Sequence, residues 1–396
     1  MKNQSVMGLL SMAGFVVMAD NWVVSPILPA IAAELNITLS DAGLLITAYM
    51  IPFGLLQLIF GPLADRWGKK QIVSSAMILF TVAAGLCAIG VGLFDLALYR
   101  VLTGAFAAAV MPISVALLGD IFPLKERQGA IGTFIGISFL GQGLSMAIGG
   151  AIAYFLSWRG VFALYALLAV IPTAALLKSY ASLPSNKNPQ ARLLKPYLKL
   201  VRNKSALGVY LLIIVEGFFM VGGFSFLGAY IFQNYDFNYL QIGLIMTGFG
   251  LATLLGGRVS GKLAALLGPR KLLILGLLLA GLADIVLSQH GKELAVLVIC
   301  VALLGLGFIF AHSVLLTRST EFDPKARGAV MSLVAFCFMG SGGAGTALGG
   351  WLLPRHGFDF LYSVYGIALL SALLASLALF AKEQPGTVEA AVDSAH

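Results

Sequence analysis

Charge is scarce in this chain. Only 11% of its 396 residues are Asp, Glu, Lys or Arg, whereas 59% are hydrophobic and the mean hydropathy is +0.95. A soluble domain carries about 25% charged and about 45–50% apolar residues. A water-facing fold with this composition would have to expose most of its apolar side chains, so a soluble domain is excluded. Long polar segments are also missing. The longest lies at 179–205 and holds Pro184, Pro189 and Pro196. Cysteine is rare: Cys87, Cys300 and Cys337 sit singly in apolar runs, with no CxxC spacing and no histidine cluster, and read as packing residues rather than a disulfide or metal site. There is no HExxH, no Walker loop and no Ser-His-Asp grouping. An enzyme or receptor is therefore a remote reading, and no cofactor or metal is expected.

What is present is a series of apolar runs. They lack a period of two, which disfavours a barrel, and each is long enough for a lipid-crossing helix of roughly 20 residues. The runs fall at about 6–30, 41–63, 71–90, 93–119, 130–156, 160–178, 206–232, 240–260, 271–289, 294–316, 328–353 and 359–381. The chain is expected to be an all-α integral membrane protein with twelve transmembrane helices in two six-helix bundles. The bundles would cover 1–178 and 206–381, joined by a cytoplasmic loop at 179–205 and followed by a tail at 382–396. The N-terminal run ends in Pro-Ile-Leu-Pro with no small-residue cleavage site, so it reads as a span and not a signal.

Basic residues orient the spans. With the N-terminus inside, 20 of the 25 Lys and Arg fall in cytoplasmic segments. Arg159, Lys292 and Arg355 lie in outer loops, and Arg100 and Arg258 within spans. Both termini are thus expected in the cytoplasm. The net charge of +8 belongs to that face; nothing else suggests nucleic acid. The expected partners are the lipid bilayer, protons and a small-molecule substrate, and a monomer suffices.

The two halves repeat at an offset of about 200 residues. Gly61-Pro-Leu-Ala-Asp-Arg-Trp-Gly68 aligns with Gly261-Lys-Leu-Ala-Ala-Leu-Leu-Gly268, Lys125-Glu-Arg-Gln-Gly-Ala130 with Lys325-Ala-Arg-Gly-Ala329 after one gap, and Ala147-Ile-Gly-Gly150 with Ala347-Leu-Gly-Gly350. The matches fall at equivalent loops and spans. Repeated halves with a site at their interface are a transporter design.

The segment Gly61-Pro-Leu-Ala-Asp65-Arg66-Trp-Gly68-Lys69-Lys70 resembles the loop 2–3 signature of the major facilitator superfamily. Asp20 followed by Pro26 and Pro29 resembles a span-1 motif of its bacterial twelve-span drug/proton antiporters, and Arg100-Val-Leu-Thr-Gly104 their span-4 arginine motif. The resemblance implies the major facilitator fold, a bacterial inner-membrane location, and proton-coupled efflux of a small amphiphilic or drug-like compound by alternating access. One departure is that Ser145-Met146 stands where antiporters carry Gly-Pro, which keeps open a symporter or exchanger for a sugar, amino acid or organic anion. In the second loop motif Ala265 replaces the acid.

Ionisable groups deep in a span are functional candidates by default. Asp20 lies about 14 residues into span 1, near the midplane. It is expected to carry the proton, tuned by Arg100, unless the two form a static pair. Glu216 in span 7 is a second proton site, an attractor of cationic substrate, or a residue reaching water. His312 in span 10 is a packed histidine, a proton relay or part of the cavity lining. Asp284 is expected to be solvated or structural near the outer end of span 9. The expected cavity lining is Asn21, Trp22, Gln142, Phe218, Phe219, Phe224 and Phe226. Asp65, Arg66 and Arg127, with Asp120 and Glu126 nearby, are expected to form a cytoplasmic gate. Gly340-Ser-Gly-Gly-Ala-Gly345 reads as close packing and not a phosphate loop, because it lies inside a span with no lysine after it.

Overall fold

The computed structural model describes residues 3–184, 187, 195–323 and 327–379. Much of the central loop, Lys325 of the second basic motif and the tail at 382–396 lie outside the described residues. Among the described residues there is no strand. The helices are α1 (Asn3–Trp22), α2 (Val24–Leu35), α3 (Leu39–Trp67), α4 (Lys69–Ala88), α5 (Leu93–Ile121), α6 (Leu124–Phe155), α7 (Trp158–Lys178), α8 (Lys195–Val201) and α9 (Lys204–Glu216). They continue as α10 (Gly222–Ser225), α11 (Leu227–Asn234), α12 (Tyr239–Leu267), α13 (Pro269–His290), α14 (Leu294–Glu321), α15 (Arg327–Ala335) and α16 (Ser341–Leu379). Among the described residues, eleven helical runs are long and apolar enough to cross a membrane. The last of them, Gly328–Leu374, is broken at Gly357, where φ is 78°, and so makes two crossings. Twelve spans result.

Three spans expected as single helices are interrupted. The first divides at Val23 into α1 and α2. Its cause is local: Pro26 and Pro29 have no N–H, so the carbonyls of Trp22 and Ser25 lose their helical donors. The seventh span divides into α9, a π-helical turn at Gly217–Val221, α10 and α11. A second π turn at Phe336–Gly340 joins α15 to α16. The two π turns lie against each other, with Gly217 set on the Phe338 carbonyl.

The repeat is visible in the backbone. Gly68 and Gly268 both have positive φ, 106° and 85°, and both donate their N–H to an alanine carbonyl four residues back. Only glycine adopts that conformation cheaply. Each therefore turns the chain sharply from a long helix into the next.

Small residues set the distance between helices. Gly104 lies one turn after Arg100 and presses on the Tyr49 carbonyl, drawing α5 onto α3. Gly141 does the same for α6 against Phe15 of α1. Between α6 and α12, Gly143 meets Gly250 and Gly150 meets Gly243. Further along the same helices, towards the basic loops, Gly129, Gly132, Gly136 and Gly261 have open space beside them. Helices α6 and α12 thus touch at one end and part towards the basic end. The Gly340–Gly345 stretch packs as expected from its position inside a span, against Met50, Ile51 and Gly54 of α3 and the Phe218 carbonyl.

A Gly104→Val substitution should force α5 away from the Tyr49 backbone and cost about 1–3 kcal/mol. Gly132→Ala enters open space and should leave the thermal midpoint in detergent unchanged. Equal midpoints for the two variants would refute the packing argument.

Candidate functional site

In the first half, Asp20 and Arg100 are both fully buried and joined directly. Arg100 Nη1 donates to Asp20 Oδ2 at 2.9 Å, and both Nη atoms lie 3.4 Å from the Asp20 carbonyl oxygen. The guanidinium stacks over the Tyr49 ring at 4.3 Å and faces Phe162 at 5.7 Å. The i, i+4 spacing of Arg100 and Gly104 explains the stacking, because the glycine brings Tyr49 under the arginine. The pair is not saturated: Asp20 Oδ1 and Arg100 Nε have no partner among the described residues, and neither do the Tyr49 and Tyr165 hydroxyls.

The second half holds another buried pair. Glu216 Oε2 is 3.1 Å from His312 Nδ1, and Glu216 Oε1 is unpartnered. Glu216 ends α9 just before the π turn, a feature common at functional sites. The imidazole stacks on Phe308 at 5.0 Å and packs on Phe338 of the second π turn at 4.6 Å. Glu216 is therefore neither solvated nor isolated, and His312 has a carboxylate partner.

Between the pairs lie two small adjoining pockets. Asn21, Trp22, Ser25, Ile46 and Met50 line them from the first half; Val221, Phe224, Phe249 and Phe308 do so from the second. Asp20 immediately precedes Asn21, and Glu216 reaches the wall through His312 and Phe308, so each acid lies just behind the cavity wall. Trp22 packs on Phe224 at 5.6 Å and on Phe249 at 6.0 Å, which closes an aromatic contact across the halves. Asn21 Nδ2 donates to Met339 Sδ at 3.9 Å. Gln142 is buried with both amide atoms unpartnered among the described residues. Such a group is costly unless something else satisfies it.

Several expectations need correction. Phe226 does not line these cavities; its ring is buried between Gly43 and Gly349, on the closed side of the bundle. Phe219 packs on Tyr365, and Phe218 on Phe219. Asp284 is not solvated: it is 2% exposed and its Oδ2 has no partner among the described residues. Asp65 and Arg66 form no ion pair among the described residues, and Asp120 is taken by Lys69 at 2.7 Å instead of Arg127. A sequence reading missed Phe249 and Phe308. The repeat held a signal for the first, since Phe249 stands 200 residues after Tyr49.

A second tie joins the halves at the basic end. The Tyr197 hydroxyl of α8 donates to the Leu58 carbonyl at 3.0 Å, and Lys199 pairs with Asp323 at 2.8 Å. Burial pushes the Tyr197 phenol up.

Removing either partner of the Asp20–Arg100 pair should be strongly destabilising, by about 3–5 kcal/mol for Arg100→Leu, which strands the carboxylate. Arg100→Lys should restore only part, because a lysine cannot make the forked contacts or stack on Tyr49 in the same way. Thermal unfolding of the purified variants, with the Asp20→Asn/Arg100→Leu double variant less affected than Arg100→Leu alone, measures this.

Comparison with known proteins agrees with the fold. The sequence model of the family described as Major Facilitator Superfamily matches residues 10–240 and again 209–394. An uncharacterized MFS-type transporter of Bacillus subtilis, YceJ, is 28% identical over 348 residues, covering 85% of this chain and 86% of its own. Citrate exporter 1 of Aspergillus niger is 32% identical over 166 residues, 42% of this chain and 31% of its own. The crystal structure of the nucleoside transporter NupG superposes with a TM-score of 0.79 at 12% identity, covering 95% of this chain and all of that one.

Proposed function

Because the chain belongs to the major facilitator superfamily, and is thus a secondary transporter, we propose that it couples an inward proton flow to export of a small amphiphilic compound. The observation that carries this reading is the cavity at the halves' interface, walled by aromatic rings and backed on both sides by a buried acid. An apolar pocket with few polar anchors suits a bulky, partly apolar ligand. Asn21 and Ser25 are the polar anchors and Trp22 and Phe224 the aromatic ones, with His312 behind Phe308.

Asp20 is the proton carrier in this mechanism. Its free Oδ1 accepts the proton, and neutralising the carboxyl loosens its hold on Arg100. The guanidinium then keeps the Asp20 carbonyl and the Tyr49 and Phe162 rings. Since α1 carries Asp20, Asn21 and Trp22 in succession, a shift of the pair moves the cavity wall directly. Glu216 and His312 supply a second protonatable pair on the other wall. The open spacing beside Gly132, Gly136 and Gly261 supports a conformation open towards the basic end. By the distribution of Lys and Arg that end faces the cytoplasm of a bacterial inner membrane, with both termini inside. The Lys69–Asp120 pair and the neighbouring Asp65, Arg66 and Arg127 would rearrange when this end closes. The bundles at 1–178 and 206–381 are the moving bodies, and one chain is sufficient.

A second reading, uptake or exchange of an organic anion or other metabolite, is favoured by one observation. Ser145 and Met146 are fully buried where exporters of this type carry Gly-Pro, and the Met146 carbonyl abuts Gly243 of α12.

Compounds that raise the thermal midpoint of the purified protein identify ligands for proteoliposome assays with an imposed proton gradient. Export predicts that substrate moves against the proton; movement with the proton selects the second reading. One coupled proton across 100 mV is worth ~2.3 kcal/mol, so Asp20→Asn should lower the accumulation ratio about fiftyfold at that potential. Full accumulation by a normally inserted Asp20→Asn protein rules out this mechanism.

A further inference from the structure

Asp284 lies on α13, behind the broken seventh span. A Cβ built on Gly223 of α10 would stand 3.3 Å from the Tyr365 ring, 3.8 Å from the Tyr362 ring and 3.9 Å from Asp284 Oδ2. These groups therefore surround one point of α10. The titratable groups around the carboxyl are Tyr362 and Tyr365 from α16, Cys300 from α14 and, through Tyr362, Tyr230 from α11. None of these is a cation, and His290 on α13 itself is exposed.

The repeat explains what is missing. Tyr365 stands 200 residues after Tyr165, and Cys300 stands 200 residues after Arg100. The first half places an acid, an arginine and tyrosines together. The second half keeps one of the tyrosines as Tyr365, has Tyr362 where the first half has Phe162, takes its acid from α13, and has a thiol at the arginine's position. An ionised carboxylate there has no counter-charge, and burying one unpaired costs several kcal/mol.

We propose that Asp284 is a proton-binding site of the second half, and that its deprotonation releases α10 from Tyr362 and weakens the closure of the two halves. Tyr362 holds α10 by donating its hydroxyl to the Gly223 carbonyl at 3.4 Å, a long bond. Tyr365 and Tyr230 donate elsewhere, to Gly345 at 2.6 Å and Leu287 at 3.2 Å. When the acid gives up its proton to water, the carboxylate needs a donor, and the Tyr362 hydroxyl is the one most weakly held. Turning it to Asp284 leaves the Gly223 carbonyl with the Phe226 N–H, at 3.1 Å, and removes its tie to α16. The next residues of α10 are those gripped by the first half: the Ser25 hydroxyl donates to the carbonyls of Phe224 and Ser225 at 2.9 and 3.0 Å. The proton on Asp284 therefore stabilises the contact that seals the cavity on that side.

This deepens the proton-coupled reading and rests on it for the source of the proton, yet the titration itself can be observed without transport. Infrared difference spectra of the reconstituted full-length protein, between neutral and alkaline buffer, should contain a protonated-carboxyl carbonyl band. Asp284→Asn should abolish it, Asp284→Glu should retain it at a shifted frequency, and Asp20→Asn should leave it in place. Hydrogen exchange of the 222–234 segment, corrected for intrinsic rates, should increase at alkaline pH in the parent protein but not in Asp284→Asn. A spectrum with no band assignable to Asp284, a band that persists unchanged through alkaline buffer, or the same exchange profile in both proteins overturns the proposal. If Asp284→Asn does not fold, the shifted band of Asp284→Glu decides. A failure of Asp20→Asn to impair transport would remove the export mechanism while leaving the Asp284 band as measured.

Discussion

In hydrocarbon no water completes a broken helix, so every backbone group freed by a break must find a partner in the protein. The first and seventh spans of this chain break in the middle, and the two breaks face each other. Prolines interrupt the first span at α1–α2; a π turn and a tight turn at Phe226 interrupt the seventh. Ser25 sits at one break and Ser225 at the other, related by the 200-residue repeat. The Ser25 hydroxyl donates to carbonyls on either side of Ser225, while Gly228 lets α11 approach the Ser25 carbonyl. The break in the seventh span is thus satisfied by a side chain of the opposite half. The cavity exists because of this arrangement: irregular backbone is tolerated where it lines a site, and the residues at both breaks are the cavity's walls.

The same constraint governs where charge is allowed. Every deep acid lies behind the wall and not on it. Asp20 is one residue from the cavity, Glu216 two rings, and Asp284 a helix away. The two that have a basic partner differ in strength. An arginine in two-point contact with Asp20 cannot lose its own proton, so only the carboxyl can switch. A histidine beside Glu216 can hold or release one itself, so that pair can exchange a proton internally.

Much of the fold was legible because lipid imposes simple rules. Span length, loop charge and the repeat at Gly68 and Gly268 can all be read from spacing. The site was legible only in part. Asp20 and Arg100 share a depth, so their contact could be anticipated. Glu216 and His312 are 96 positions apart on non-consecutive spans, and nothing local in either run indicates the other. Asp284 misled because distance from a helix end says nothing about which way a side chain faces; here it faces α16 and the interior. The π turns were also hidden, since a run such as Gly217-Phe-Phe-Met-Val221 is compatible with an ordinary helix until Phe338 and Gly345 press on it.

The glycines show how these parts can move together. Along α6 and α12 the contacts at Gly143–Gly250 and Gly150–Gly243 are backbone to backbone, with no side chain between them. Such surfaces can roll on each other without unlocking interdigitated side chains, which would cost several kcal/mol in a packed interface. The open row at Gly129, Gly132 and Gly136 offers a matching smooth surface for the opposite tilt. By contrast, Gly104 and Gly141 clamp helices inside the first half, where rigidity is needed to keep Arg100 over Tyr49. The same residue type therefore serves opposite ends: within a bundle it locks two helices at one distance, and between bundles it leaves a bearing on which they can rock.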